Sequence, residues 1–241
     1  MHKSVLKHIF LLFGLLIGSQ LIAQTKLTGG PFLGTSWYNG DLNASQQFYK
    51  IHPAFGGLLR YAIKDRIAFR AQANIVNISG AYKYEGNYFP NSENVQYNFK
   101  RSLVDLSAMM EINFFSFDHP FDQTARFSPY LAFGLGSTFY NRYEEVNGNR
   151  TEKPTFVLSL PFGAGVKWKF NRWVQMGAEW TFRKTFADDL DVVGFGNGID
   201  VSDPFKHGTS SAIHNNDWYS VVGVYLSFQI FSTGGKCFDG F

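Results

Sequence analysis

The chain has 241 residues, a formal net charge of +3 and an aromatic content of 18%, with 26 phenylalanines, yet its mean hydropathy is slightly negative. Apolar residues are spread at half density along most of the chain instead of gathering into the fully buried runs of a water-soluble core. No Lys/Arg cluster accompanies the modest charge, which excludes the electrostatic footprint of a nucleic-acid binder.

The N-terminus reads as an export signal. Lys3 and Lys7 give a basic start, Ile9 to Ile22 forms an apolar stretch, and Leu21-Ile22-Ala23 precedes Gln24 as a cleavage site. The apolar stretch, about 14 residues, is shorter than the roughly 20 that a spanning helix needs. No cysteine sits at the cleavage point, so a lipoprotein is not expected. We expect residues 1–23 to be a signal peptide, 24–231 to form one barrel domain and 232–241 to follow it as a tail.

From residue 29 onward the chain alternates apolar and polar residues with the period of a β-strand. Strands are predicted at 29–38, 54–63, 66–78, 99–115, 129–143, 155–169, 172–186 and 217–231. Tight turns fall at Lys64-Asp65 and Phe170-Asn171, and a connection of medium length at Ser116–Arg126. The remaining connections, Asn39–Pro53, Gly80–Asn98, Glu144–Pro154 and Ala187–Asn216, are long and polar. Short and long connections thus alternate between an even number of strands, which is the pattern of an outer-membrane barrel with short periplasmic turns and longer outer loops.

The stretch "LPFGAGVKWKFNRWVQMGAEWTF", Leu160 to Phe182, shows the alternation most plainly. One face carries Leu160, Phe162, Ala164, Val166, Trp168 and Phe170, and the other Gly163, Gly165, Lys167 and Lys169. In hydrocarbon every backbone polar group must be paired within the protein, so an all-β chain crosses only as a closed barrel. The fold class expected is all-β, an eight-stranded antiparallel transmembrane β-barrel. Val104, Leu106, Ala108, Met110, Ile112 and Phe114 should face lipid, as should Val222, Val224, Leu226, Phe228 and Ile230. Trp37, Tyr38, Trp168, Trp173, Trp218 and Tyr219, near strand ends, suit the two interfacial aromatic girdles.

The inward face should carry Arg60, Arg70, Arg101, Asp105, Glu111, Arg142, Lys167, Glu179 and Arg183. Eight strands enclose an interior that side chains just fill, so these charges should pair and plug it. No cofactor is implied. An enzyme would need convergent acid, base and nucleophile, and the histidines after the signal are only His52, His119, His207 and His214. A rim-located lipid-modifying enzyme using His52 or His214 is the least favoured reading, since no G-x-S-x-G motif supports it. Asp188, Asp189 and Asp191 lack the spacing of a calcium loop and read as a solvated acidic segment. The sole cysteine, Cys237, lies after the last strand; unpaired in an exported chain, it points to a partner bond or a reactive thiol.

Four stretches then combine: "WYNGDLN" at 37–43, "PFGAGVKWKF" at 161–170, "EWTFRKTF" at 179–186 followed by "DDLD" at 188–191, and "NNDWYSVVGVYLSF" at 215–228. In order and spacing they resemble a PorG-like family of small outer-membrane barrels from Bacteroidota, components of the type IX secretion system. The resemblance implies a non-enzymatic anchor that tethers a periplasmic PorK lipoprotein and PorN ring to the outer membrane. It further implies that a tail cysteine, here Cys237, bonds the lipoprotein. The alternative is a stand-alone small barrel with a structural or adhesive role.

Overall fold

In a computed structural model the chain forms a closed antiparallel barrel in which each strand pairs with its sequence neighbours and β1 with β8. The structure describes residues 26–40, 47–83, 96–118, 125–146, 149–171, 173–186, 190 and 217–232. The strands are β1 (Lys26–Asn39), β2 (His52–Lys64), β3 (Ile67–Lys83), β4 (Gln96–Asn113), β5 (Phe127–Val146), β6 (Asn149–Lys169), β7 (Val174–Thr185) and β8 (Trp218–Ser232). The predicted architecture is the observed one. Residues 1–23 and most of the tail, including Cys237, lie outside the described residues.

Lys26 pairs with Ser232, so the barrel begins and closes at one end. That end also holds the connections 65–66, 114–126 and 170–173, and we call it the turn end. The opposite, loop end holds the connections after β1, β3, β5 and β7.

The alternation places side chains as expected over the middle of the wall. On β4, Val104, Leu106, Ala108 and Ile112 are exposed, while Asp105, Ser107, Met109, Glu111 and Asn113 are buried. On β3, the outward residues are Ile67, Phe69, Ala71, Ala73 and Ile75. On β3 the stretch with an apolar outward face runs from Ile67 to Ile75, nine residues of strand, close to the 9–11 that a tilted strand needs to cross a bilayer.

Toward the loop end both faces invert. Outward on β3 come Asn77 and Ser79, whose side chains bond to Pro53 and Ser102 or to His52, while inward come Val76 and Ile78. On β4 the outward residues become Ser102 and Lys100, and the inward ones include Leu103 and Phe99. Polar-in, apolar-out suits a wall in hydrocarbon, and apolar-in, polar-out suits a wall in water. The inversion marks where the barrel leaves the apolar layer.

Two expectations need correction. The segment Glu144–Pro154 is no long loop: β5 and β6 pair through Val146↔Asn149, so the hairpin continues beyond the apolar band. Its polar residues read as a loop because a strand in water can be polar on its exposed face. The second correction concerns the girdle. Tyr38 and Tyr219 are fully buried and point inward, where each hydroxyl meets Asp217 or Asp105. Trp37 faces outward but is covered by Phe48, at 4.5 Å between ring centroids. Trp168 and Trp173 are exposed at the turn end and Trp218 half-buried at the loop end, as the girdle requires.

Candidate functional site

The lumen is the candidate site, because charged side chains of five strands, β2, β3, β4, β6 and β7, converge there. Its turn end is organised around Glu111 of β4. Oε2 accepts from Arg60 Nε at 2.6 Å and Lys167 Nζ at 2.5 Å, and Oε1 lies 3.1 Å from Arg70 Nη1. Arg70 also pairs with Glu179, which accepts a hydrogen bond from the Tyr130 hydroxyl at 2.7 Å. Three cations, Arg60, Arg70 and Lys167, thus meet the carboxylates Glu111, Glu179 and Asp118.

Asp118 comes from the connection after β4, not from a strand. The connection folds back into the barrel mouth, where Asp118 takes both Nη groups of Arg60, one at 2.8 Å, and a bond from Asn113 Nδ2 at 3.0 Å. Burial favours the neutral carboxyl there, but the Arg60 guanidinium outweighs it and holds Asp118 below the usual aspartate range. Phe117 beside it is fully buried beneath the ammonium groups of Lys169, at 4.6 Å from the ring centroid, and Lys167, at 5.7 Å. Lys169 Nζ also donates to the Phe117 carbonyl at 2.5 Å. The turn end is closed by this pair.

The glycines of the lumen face have a packing reason. A Cβ on Gly165 would approach the Tyr130 ring to 2.6 Å, and one on Gly177 the Tyr225 ring to 2.3 Å. Both rings lie across the glycine backbone, which lets two tyrosines and the charged cluster share one narrow layer.

Midway, Asp105 receives Arg183 Nε at 3.2 Å, Asn74 Nδ2 at 3.2 Å and the Tyr219 hydroxyl at 3.2 Å, and Tyr219 shares a 2.9 Å bond with Thr138. Above this the lumen turns apolar: Tyr38, Val76, Ile78, Phe99, Leu103, Tyr140 and Leu190 are packed in one buried cluster. Leu190 belongs to the connection after β7. Its backbone N–H donates to Asp217 Oδ2 at 2.9 Å, and Asp217 also takes the Tyr38 hydroxyl on its other oxygen. Thr185 Oγ1 and N donate to the Asp217 carbonyl at 2.6 and 3.0 Å. Asp217 ties the two ends of the long connection together and seats Leu190 in the mouth.

Of the predicted lumen charges, Arg60, Arg70, Arg101, Asp105, Glu111, Lys167, Glu179 and Arg183 are all buried; Arg142's side chain lies outside what is described. The sequence reading did not place Asp118, Phe117, Leu190 or Asp217 in the lumen. A signal for two of them was present: Leu190 sits within "DDLD" and Asp217 within "NNDWYS", stretches already singled out for another reason. The enzymatic candidate His52 opens β2 instead of lying in a loop, and its Nε2 is 2.6 Å from Ser79 Oγ. Ser79 is only 7% exposed, and among the described residues no carboxylate is bonded to His52. His119, His207, His214, Asp188, Asp189 and Asp191 lie outside the described residues. Among the described residues no group of His, Cys, Asp and Glu could hold a metal ion.

The chain is similar in architecture to small outer-membrane barrels of known structure. Neisserial surface protein A is 13% identical with a TM-score of 0.42, covering 86% of this chain and 96% of that one. The N-terminal barrel domain of OprF from Pseudomonas aeruginosa is 12% identical with a TM-score of 0.40, covering 85% and 99%. OprG from the same organism is 14% identical with a TM-score of 0.38, covering 86% and 95%. No curated protein matches the sequence. One family model does, over residues 4–239, and the chain therefore belongs to that family, a domain of unknown function (DUF6089).

Proposed function

We propose that this outer-membrane barrel is a non-enzymatic anchor of the type IX secretion system. In this reading the turn end and both termini face the periplasm. The tail carries Cys237 toward a PorK-like lipoprotein and, through it, a PorN-like ring. The observation that supports it is the lumen. Paired charges fill its turn-end half, and Phe117–Asp118 and Leu190 occupy its two mouths. A filled interior supports a role carried by the rims and the tail over passage through the lumen. The family match extends to residue 239, so the segment bearing Cys237 belongs to what the family shares. A disulfide there makes a weak docking contact effectively permanent, because re-encounter becomes intramolecular.

The test is a non-reducing gel of native membranes from the parent and from Cys237→Ser, with the partner identified by mass spectrometry. A heavier, reductant-sensitive band containing a lipoprotein is expected only from the parent. A parent that runs wholly as monomer, with Cys237 open to a thiol reagent, removes the covalent link. A stand-alone structural or adhesive role is the second reading, and the β3–β4 and β5–β6 hairpins that rise past the apolar band favour it. Loss of surface binding on shortening the β5–β6 hairpin, with secretion intact, is its mark.

A further inference from the structure

The ions of the turn-end lumen satisfy one another, but three neutral side chains beside them do not. Gln175 of β7, Ser227 of β8 and Thr28 of β1 are buried, at 3%, 0% and 1% exposure. Both ends of the Gln175 amide, the Ser227 hydroxyl and the Thr28 hydroxyl have no hydrogen-bond partner among the described residues. Gln175 is the direct register partner of Ser227, and Thr28 stands opposite Gln229, two residues farther along β8. Direct cross-strand neighbours have Cβ atoms about 4.5–5.5 Å apart, and diagonal ones about 7–8 Å or less. The three side chains are therefore close enough to share one small ligand, and none bonds another.

They straddle the seam at which the barrel closes. The register between β1 and β8 shifts at Leu27/Thr28, where Phe231 pairs with Leu27 and Gln229 with Thr28, so Ile230 has no partner on β1. A bulge of this kind interrupts the ladder and bends its strand. The seam is thus irregular in its backbone at the level where its side chains lack partners.

Donor and acceptor chemistry identifies the ligand. Oε1 of Gln175 needs a donor and Nε2 an acceptor, whichever way the amide is turned. An anion cannot meet the first need and a metal ion cannot meet the second, while the two hydroxyls can meet either. A molecule that both donates and accepts serves all four atoms, and the smallest is water. Buried polar groups without protein partners are where internal water is held, typically through about three hydrogen bonds. We propose that water is bound inside the turn end of the lumen between Gln175, Ser227 and Thr28, as a structural ligand that completes the hydrogen bonding of the closing seam. The proposal uses the barrel alone and stands or falls apart from the secretion reading.

Water–protein nuclear Overhauser spectra of the full chain, refolded in deuterated detergent micelles, test it. The Gln175 side-chain NH2 should show a cross-peak to water with the sign of a long-lived bound molecule. Asn74 is the internal control: it is equally buried, but its Nδ2 donates to Asp105 and its Oδ1 accepts from Gln72, so it should show none. Ser227→Val replaces the hydroxyl with methyl groups and should remove the Gln175 cross-peak. Gln175→Met should leave the urea midpoint of unfolding at or below the parent's, because an amide already bonded to water gains nothing by being removed. Heat-dependent gel mobility checks that each variant closes its barrel, and the parent's spectrum decides alone if one does not. A missing Gln175 cross-peak in the parent, an equal one at Asn74, its persistence in Ser227→Val, or a midpoint raised by Gln175→Met would each overturn the assignment.

Discussion

The two halves of the lumen use opposite chemistry within one wall. At the turn end the interior is a cluster of buried ions around Glu111; at the loop end it is an apolar cluster around Ile78, Phe99 and Leu103. The outside of the same strands does the reverse, apolar beside the ions and polar beside the apolar cluster. A strand in hydrocarbon has already given its greasy residues to lipid, so polar residues are left for the inside and must satisfy one another. A strand in water can bury its greasy residues and gains by doing so. The medium outside decides what the core is made of.

The comparison breaks most readily at Glu111. Glu111→Ala leaves Arg60, Arg70 and Lys167 short of a shared carboxylate in a fully buried layer and should destabilise the barrel by about 3–5 kcal/mol. Urea titrations of refolding into vesicles measure this, and a change below about 1 kcal/mol would mean that the ions are hydrated rather than paired. Next comes the wall. Leu106→Arg and Val224→Arg, both exposed within the apolar band, should each destabilise by about 2–4 kcal/mol. Asn77→Arg, two residues past the last apolar outward residue of β3, should stay within about 0.5 kcal/mol if the inversion marks the membrane edge.

Asp118 sharpens the account of the turn end. Its carboxyl is held below the ordinary aspartate value of about 3.9 by Arg60. A group depressed in the folded state contributes stability in full above its unfolded value and loses it as pH falls through the folded value. Stability of the parent should therefore drop as pH falls below about 4, and Asp118→Asn should flatten that drop while destabilising by about 1–3 kcal/mol at neutral pH. Unfolding titrations across a pH series read both effects. At the loop end, Ile78→Val removes one methylene from the apolar cluster and should destabilise by about 0.5–1.5 kcal/mol, independent of pH. A pH-dependent shift at Ile78→Val would mean that the two halves are coupled.

The barrel was legible because one period, the alternation of two, runs through all eight strands and needs no tertiary knowledge to read. Leu160 to Phe170 and Val222 to Ile230 each predict their own exposed face. Where the phase of the pattern changes, reading it locally fails. On β3 the outward apolar residues occupy odd positions from Ile67 to Ile75 and the inward ones even positions at Val76 and Ile78, so the pattern breaks where the strand only leaves the bilayer. The polar hairpin 144–154 reads as a loop for the same reason. Asp118, Leu190 and Asp217 were missed because a connection's residues carry no periodicity, and only the folded barrel shows which of them turn back into it. Tyr38 and Tyr219 fit a girdle by sequence because aromatic residues at strand ends serve either face. The carboxylates Asp217 and Asp105 decide for the inside.

The central claim is that the interior is a filled core and the protein works through its outside. Planar-bilayer recording of the purified full chain is the measurement, since among the described residues the paired ions, the Phe117–Asp118 floor and Leu190 in the opposite mouth fill the interior. The parent should insert and remain electrically silent. Stable openings of a single size from the parent would contradict the account.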